Sequence, residues 1–249
     1  MKVSDNNIEI ILSPSKGALE EVKKWLVQED KKNKSGFYCN WNVIEELYLK
    51  KQFFCIKVNN EVIGFLTWFY KVTNPVIKIA ITEIMPEHRS KGFGEVLVNK
   101  CLEYFSSFGV QAVELDCSPE TSKPFWLKMG FNVFPNGFYK DSEYRLYKVL
   151  THSSKTIENN NDEEIIELWN DEPYIATGEP TWTWKVSYVS NEGVLTKQII
   201  APAHYDWRIR WRKGDTVFRD DKVKYFFRDR TKDIYYNDFI IIKELTKLA

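Results

Sequence analysis

The run Arg89-Ser90-Lys91-Gly92-Phe93-Gly94 places two glycines two residues apart, ahead of a stretch whose apolar residues recur at helical spacing. Glycines so placed let a backbone approach a bulky anion, and a helix that follows offers unpaired amides and a positive dipole end to a pyrophosphate. A tight packing turn between a strand and a helix uses the same residues. Glu83 lies just upstream, between Thr82 and Ile84 in an otherwise apolar run. A partly buried carboxylate there has a raised proton affinity and suits a base that takes a proton directly or through water. The alternative is a strand-end glutamate that faces solvent or pairs with a lysine.

A second constellation lies in Tyr205-Asp206-Trp207-Arg208-Ile209-Arg210-Trp211-Arg212-Lys213, which alternates with period two. Trp207, Ile209 and Trp211 share one side of a strand, and Arg208, Arg210 and Arg212 the other. A row of arginines invites phosphate or RNA. Asp206, Asp215, Asp220, Asp221 and Asp229 stand near enough in sequence to neutralise it as cross-strand pairs, the reading we favour. Thr181-Trp182-Thr183-Trp184 repeats the pattern of a tryptophan face and a polar face, which suits a small β-rich core or an aromatic binding surface. Cys117 and Ser118 have no histidine near them in sequence to activate a nucleophile. His88, His152 and His204 read as surface or turn histidines.

Elements of alternating type must position these groups. Ile8 to Leu12 reads as a strand, and Pro14-Ser15 opens a helix carrying Leu19, Val22, Leu26 and Val27 at helical spacing. A second helix runs from about Trp41 to Lys50. Phe53 to Val58 and Val62 to Tyr70 form a hairpin through Asn59-Asn60-Glu61, and Val76 to Met85 is the next strand. The helix after the glycine turn starts near Glu95 and stops at Gly109. Ala112 to Cys117 is strand-like, a short helix ends at Gly130, and Phe131 to Phe134 and Tyr144 to Leu150 read as two further strands.

Residues 151–162 change to Ser, Thr, Lys, Glu and a run of asparagines, the composition of a linker. Beyond it, one helix is expected from Glu163 to Trp169. Strands are expected at Thr181 to Val189, Val194 to Ile200, Tyr205 to Lys213, Val217 to Arg219, Val223 to Arg228 and Phe239 to Lys243. Lys213-Gly214-Asp215 and Asp220-Asp221 read as turns.

The chain's 249 residues suffice for two units, each with its own core. Lys+Arg and Asp+Glu both total 35, so no global field attracts nucleic acid or membrane, and any anionic partner needs a local patch. Cys39, Cys55, Cys101 and Cys117 lack paired metal-ligand spacing and read as buried free thiols in a reducing compartment. No apolar run approaches the roughly 20 residues of a membrane helix, so the expectation is a cytoplasmic protein.

Taken together, the element order over residues 1–150 resembles the GNAT superfamily of acyl-CoA-dependent N-acyltransferases. Ile84-Met85-Pro86-Glu87-His88-Arg89-Ser90-Lys91-Gly92-Phe93-Gly94 is similar to the family's Val-x-Pro tripeptide followed by Arg/Gln-x-x-Gly-x-Gly/Ala. Phe125-Trp126-Leu127-Lys128-Met129-Gly130-Phe131 is similar to the segment that closes the family's fourth helix and opens its sixth strand. The resemblance implies an α+β fold, an α/β/α mixed sheet, for residues 1–150. Residues 151–162 are then a linker and 163–249 a smaller β-rich accessory domain outside the resemblance.

The resemblance also implies acetyl-CoA as co-substrate, no metal, and acetyl transfer by direct attack of an amine. The amides of Arg89, Ser90, Lys91, Gly92, Phe93 and Gly94, with Glu95 at the helix start, would hold the pyrophosphate. Ile84 would bond the pantetheine through its backbone, and Glu83 would be the base. The chain departs from the family where many members place a tyrosine that protonates the thiolate, since Trp126 stands there and an indole is no proton donor near neutral pH. Ser118-Pro119 replaces a common asparagine. Tyr139 is the candidate substitute acid. The acceptor is a small-molecule or protein amine, nucleic acid being a less favoured partner and membrane not expected; the oligomeric state is open. The rivals are a CoA-binding sensory or interaction module with little activity and an RNA-associated acetyltransferase that uses the Arg208, Arg210 and Arg212 face.

Overall fold

In the computed structural model, which describes residues 7–34, 36–135, 144–158, 163–189, 193–226, 234–236 and 238–245, the first helix begins at a side-chain cap. The Ser15 hydroxyl accepts the Ala18 amide at 3.3 Å, and α1 runs Lys16–Asn33, with Lys31 and Lys32 in its last turn. One stripe of α1, including Ala18, Leu19, Val22, Trp25 and Leu26, is buried with Trp41 and Ile44 of α2, Trp41–Leu49. Both helices pack on one face of a sheet at Phe53, Phe65 and Ile81, where Trp25 and Phe53 contact the Phe65 ring at 6.0 and 5.6 Å.

That sheet belongs to the first of two compact units, Met1–Asp116 and Cys117–Ala249. In it, β1 (Ile8–Ile11), β2 (Phe53–Val58), β3 (Glu61–Phe69), β4 (Val76–Ile84) and β5 (Ala112–Asp116) lie in sequence order. The first four strands pair antiparallel, and β4 pairs parallel to β5. A parallel pair needs a crossover, and α3, Phe93–Ser107, supplies it. The helix buries Leu97, Cys101 and Phe105, with Phe105 against Trp68 and Phe54 on the face opposite α1. The helices therefore sandwich the sheet, as the α/β/α expectation required.

In the second unit, α4 (Lys123–Lys128) precedes an antiparallel pair, β6 (Asn132–Val133) and β7 (Arg145–Val149). Four strands, β8 (Glu164–Leu168), β9 (Trp182–Lys185), β11 (Arg208–Lys213) and β12 (Thr216–Lys222), form a sheet of order β12-β11-β8-β9. Another holds β10 (Val194–Pro202), β14 (Phe239–Glu244) and β13 (Tyr235–Tyr236) in the order β10-β14-β13. Phe134 and Tyr147 meet the Phe239 ring edge-on, and Arg145 pairs with Asp238 at 2.7 Å. Of the linker-like stretch, Ser154 and Ile157 donate backbone hydrogen bonds to Gln198 and Thr183. The architecture is α+β, with a mixed sheet in the first unit and β-rich sheets in the C-terminal region. Among the described residues no helix is long and apolar enough to cross a membrane.

Four local expectations fail. Residues expected as a helix from Glu163 to Trp169 form β8. β8 lies between β9 and β11, and Ile165 to Leu168 are all buried; a strand covered on both faces loses the alternation that identifies it. Val223–Phe226, expected as part of a strand, is one helical turn, α5, whose buried Val223 and Phe226 stand three residues apart. Asp220-Asp221, expected as a turn, lies inside β12, and the hairpin turns at Gly214, whose φ is +56°. Cys39, expected to be buried with the other three thiols, is exposed.

Candidate active site

The expected site residues that the structure describes gather where β4 leaves β5. Their parallel register runs from Val76 opposite Ala112 to Ile79 opposite Leu115. From there Ile81 to Ile84 continue against β3, after a bulge at Ala80, with no register to β5. Among the described residues no strand pairs with β4 on its β5 side just before the glycine turn, and an extended ligand segment can add there as a strand does.

After β4 the chain makes one 3-10 turn, Pro86–His88, and enters the loop. Ser90 has φ +61° and Gly92 φ +89°. Left-handed residues interspersed in a loop turn successive amides toward one side and form an anion nest. Gly92 caps α3, Phe93 and Gly94 open it, and Glu95 falls in its first turn; helix-start amides lack intrahelical acceptors. The helix begins two residues before the expected Glu95. Phe93 is buried, its ring 5.9 Å from that of His88, and Ser90 and Lys91 are exposed.

Arg89 departs most from its expected role. Its amide bonds to the Pro86 carbonyl at 3.3 Å, and its side chain folds back to the end of β4. Nε donates to the Ile84 carbonyl at 2.9 Å, and Nη2 donates to Oε1 of Glu29 at 2.7 Å and Oε1 of Glu83 at 2.9 Å. The guanidinium is therefore committed to the proposed base and to a glutamate of α1. The Ile84 carbonyl, expected to meet pantetheine, is the one that accepts Arg89 Nε.

Glu83 alternates with Ile81, a member of the α1-facing core. Its side chain is 13% exposed. Burial pushes its carboxyl above the usual carboxylate range; Arg89 opposes that shift, and the negative charge of Glu29 reinforces it. Arg89 is itself held above its ordinary value: burial works against its charge, but the hydrogen bonds and charges of Glu29 and Glu83 outweigh it. A cleft of about 690 Å³ adjoins the cluster, lined among others by Glu21, Trp25, Glu29, Val62, Met85 and His88.

Glu29 is the site residue that sequence reasoning missed. It stands four residues after Trp25 and three after Leu26 on the buried stripe of α1, where a carboxylate is out of place. That misplaced charge was the available signal.

On the acid side, Tyr139 lies outside the described residues. Trp126 is buried in α4, its ring packed edge-on against Phe125 at 5.1 Å and Phe131 at 5.2 Å. Cys117, also buried, has its sulfur 3.2 Å from the Ser122 hydroxyl.

The arginine row of the second unit is occupied by carboxylates. Arg208 makes two hydrogen bonds to Asp220, at 2.8 and 2.5 Å. Arg210 and Arg212 both bond the fully buried Glu167 of β8, at 2.6 and 3.1 Å. Asp206 instead pairs with Lys222 and Lys224. Trp169 lies under the guanidiniums of Arg208 and Arg210, 4.6 and 5.0 Å from its ring centre. Neutralisation within the sheet, one of the two expectations for this row, is what the geometry displays, with Glu167 as a partner that the sequence had concealed in a supposed helix.

Residues 19–131 match the model of the acetyltransferase (GNAT) family. No protein of curated function matches the sequence. Among solved structures, Ard1 from Thermoplasma volcanium is 18% identical over 58% of this chain and 98% of its own, with a TM-score of 0.45. A GNAT-family acetyltransferase from Staphylococcus aureus Mu50 is 16% identical over 58% and 99%, with a TM-score of 0.47. The PaiA N-acetyltransferase from Thermoplasma acidophilum, solved with coenzyme A, is 17% identical over 57% and 99%, with a TM-score of 0.46.

Proposed function

We propose that this chain, whose residues 19–131 form an acetyltransferase domain of the GNAT family, moves an acetyl group from acetyl-CoA to an amine by direct attack. The observation that carries this reading is the buried carboxylate of Glu83 at the end of β4, beside an anion nest that leads into α3 and a strand edge with which no described strand pairs. Pantetheine adds along Ala80 to Ile84, and the pyrophosphate rests on the amides from Ser90 to Glu95. Family membership supports acetyl-CoA as the donor.

In the reaction the acceptor ammonium gives a proton to Glu83, directly or through water, and the free amine attacks the thioester carbonyl. The new C–N bond forms, the C–S bond breaks, and the thiolate leaves. The second proton, which the attacking nitrogen sheds as it becomes an amide, passes to the thiolate through water or Tyr139. The cleft lined by Glu29, whose guanidinium partner Arg89 also bonds Glu83, is the acceptor's approach, and it suits a small-molecule or protein amine. Residues 1–150 would form the transferase domain, 151–162 a linker and 163–249 an accessory domain that shapes substrate choice.

A CoA-binding module with little activity is the second reading, favoured by the packed Trp126 in place of a proton donor. Free-thiol release from acetyl-CoA across a panel of amines separates the two. The enzyme reading expects release with at least one amine, and at least a hundredfold loss in Glu83→Gln. No turnover with any amine, alongside a melting temperature raised by CoA, would leave the binding module standing.

A further inference from the structure

One guanidinium nitrogen serves two carboxylates. Nη2 of Arg89 reaches Glu29 at 2.7 Å and Glu83 at 2.9 Å, while Nε is held by the Ile84 carbonyl. Arg89 therefore makes no bidentate pair with Glu83. Such a pair would be the stronger arrangement, and it would fix Glu83 in its ionised form. Glu29 prevents it. Its side chain is only 4% exposed, and Oε2 has no hydrogen-bond partner among the described residues. A carboxylate so poorly solvated retains the cation that it holds.

We propose that Glu29 is a positioning residue: it draws Arg89 away from full pairing with Glu83, so that the base keeps its capacity to take a proton from the acceptor ammonium. The role rests on reading Glu83 as the base. The cluster of two carboxylates and one guanidinium lacks one positive charge. Glu83, more exposed than Glu29, is the member through which an incoming ammonium supplies that charge as a proton. The other titratable groups around the cleft are Glu21, Lys24 and Lys32 on α1, Glu61 at the start of β3, and Glu87 and His88 in the 3-10 turn. None of these figures in the hydrogen bonds of the cluster.

The test is a carbon-13 NMR titration of the Glu83 carboxyl, assigned by its disappearance in Glu83→Gln and followed in wild type, Glu29→Gln and Arg89→Gln. Removing the competing charge lets Arg89 pair fully with Glu83, so the midpoint falls in Glu29→Gln. Removing the shared cation leaves two facing carboxylates, so the midpoint rises in Arg89→Gln. The acid limb of kcat/KM for the acceptor, at saturating acetyl-CoA, moves in the same two directions. A structural role for Glu29 would lower the melting temperature and leave the midpoint where it was, and that result overturns the proposal. Should Glu29→Gln fail to fold, Arg89→Gln decides alone, an unmoved or lowered midpoint being the negative outcome. Absence of turnover in wild type would remove Glu83 as base, while the NMR midpoints would still decide whether Glu29 controls its ionisation.

Discussion

Gly64 in β3 faces Ile84 in β4, and a Cβ built on Gly64 would lie 2.4 Å from Cδ1 of Ile84 and 2.7 Å from the Glu83 carbonyl. The strand carrying the proposed base is thus seated against a position with no side chain. Gly64→Ala must push the end of β4 outward, at a cost of about 1–3 kcal/mol for overpacking. Urea unfolding should show that loss, and acetyl transfer should fall with it as Glu83 shifts. Unchanged stability and rate would mean that β4 yields freely.

Gly92 has φ +89°, where an L side chain is strained. Gly92→Ala is expected to cost about 1–2 kcal/mol if the loop holds its shape. If the loop relaxes instead, the nest opens and CoA affinity falls roughly tenfold, the equivalent of about 1.4 kcal/mol. Calorimetric titration with CoA, combined with a melting curve, apportions the loss between the two.

Glu83 links stability to pH with a definite sign. Burial raises its folded-state pKa above the unfolded value, so its stabilising contribution is present below the unfolded value, about 4.3, and is lost as pH rises through the folded one. At pH 8 the wild type bears the cost of a buried charge that a glutamine lacks. Glu83→Gln should therefore melt higher than wild type at pH 8, with the gap closing toward pH 4. A gap that widens on acidification would contradict the assignment.

Glu167 is fully buried between Arg210 and Arg212. Glu167→Ala leaves the buried Arg212 without that carboxylate, and breaking such a cluster costs on the order of 3–5 kcal/mol. Guanidinium unfolding followed by tryptophan fluorescence would report it. With the row neutralised, Ala at Arg208, Arg210 and Arg212 should leave no salt-dependent RNA affinity to lose. A salt-dependent loss in that variant would restore the nucleic-acid reading.

The thiols differ in access. Cys39 is exposed, whereas Cys55, Cys101 and Cys117 are buried. Burial pushes the Cys55 thiol up to about 12 and raises Cys101 as well. Iodoacetamide at pH 8 should modify Cys39 alone in the folded protein, with all four alkylated in denaturant, as intact mass would show.

What could be read from the sequence was local. Gly92 and Gly94 announced a turn before a helix because left-handed backbone and close approach are properties of single residues. The stripes of α1 and α3 could be read because helical spacing repeats within one segment. The strand seating of Glu83 followed from its apolar neighbours. β8 could not be read this way: Glu163-Glu164-Ile165-Ile166-Glu167-Leu168-Trp169 suits a helix or a doubly covered strand, and its pairing with β9 and β11 makes the choice.

The sequence by itself determined the glycine turn, the helix that it starts and the carboxylate on the strand before it. Only the tertiary structure decided where Arg89 spends its charge. Its partner Glu29 lies 60 positions away on α1, and Glu167 meets Arg210 from 43 positions away. Ion pairs of this kind depend on which elements the fold brings within a few ångströms, and no spacing along the chain encodes that distance.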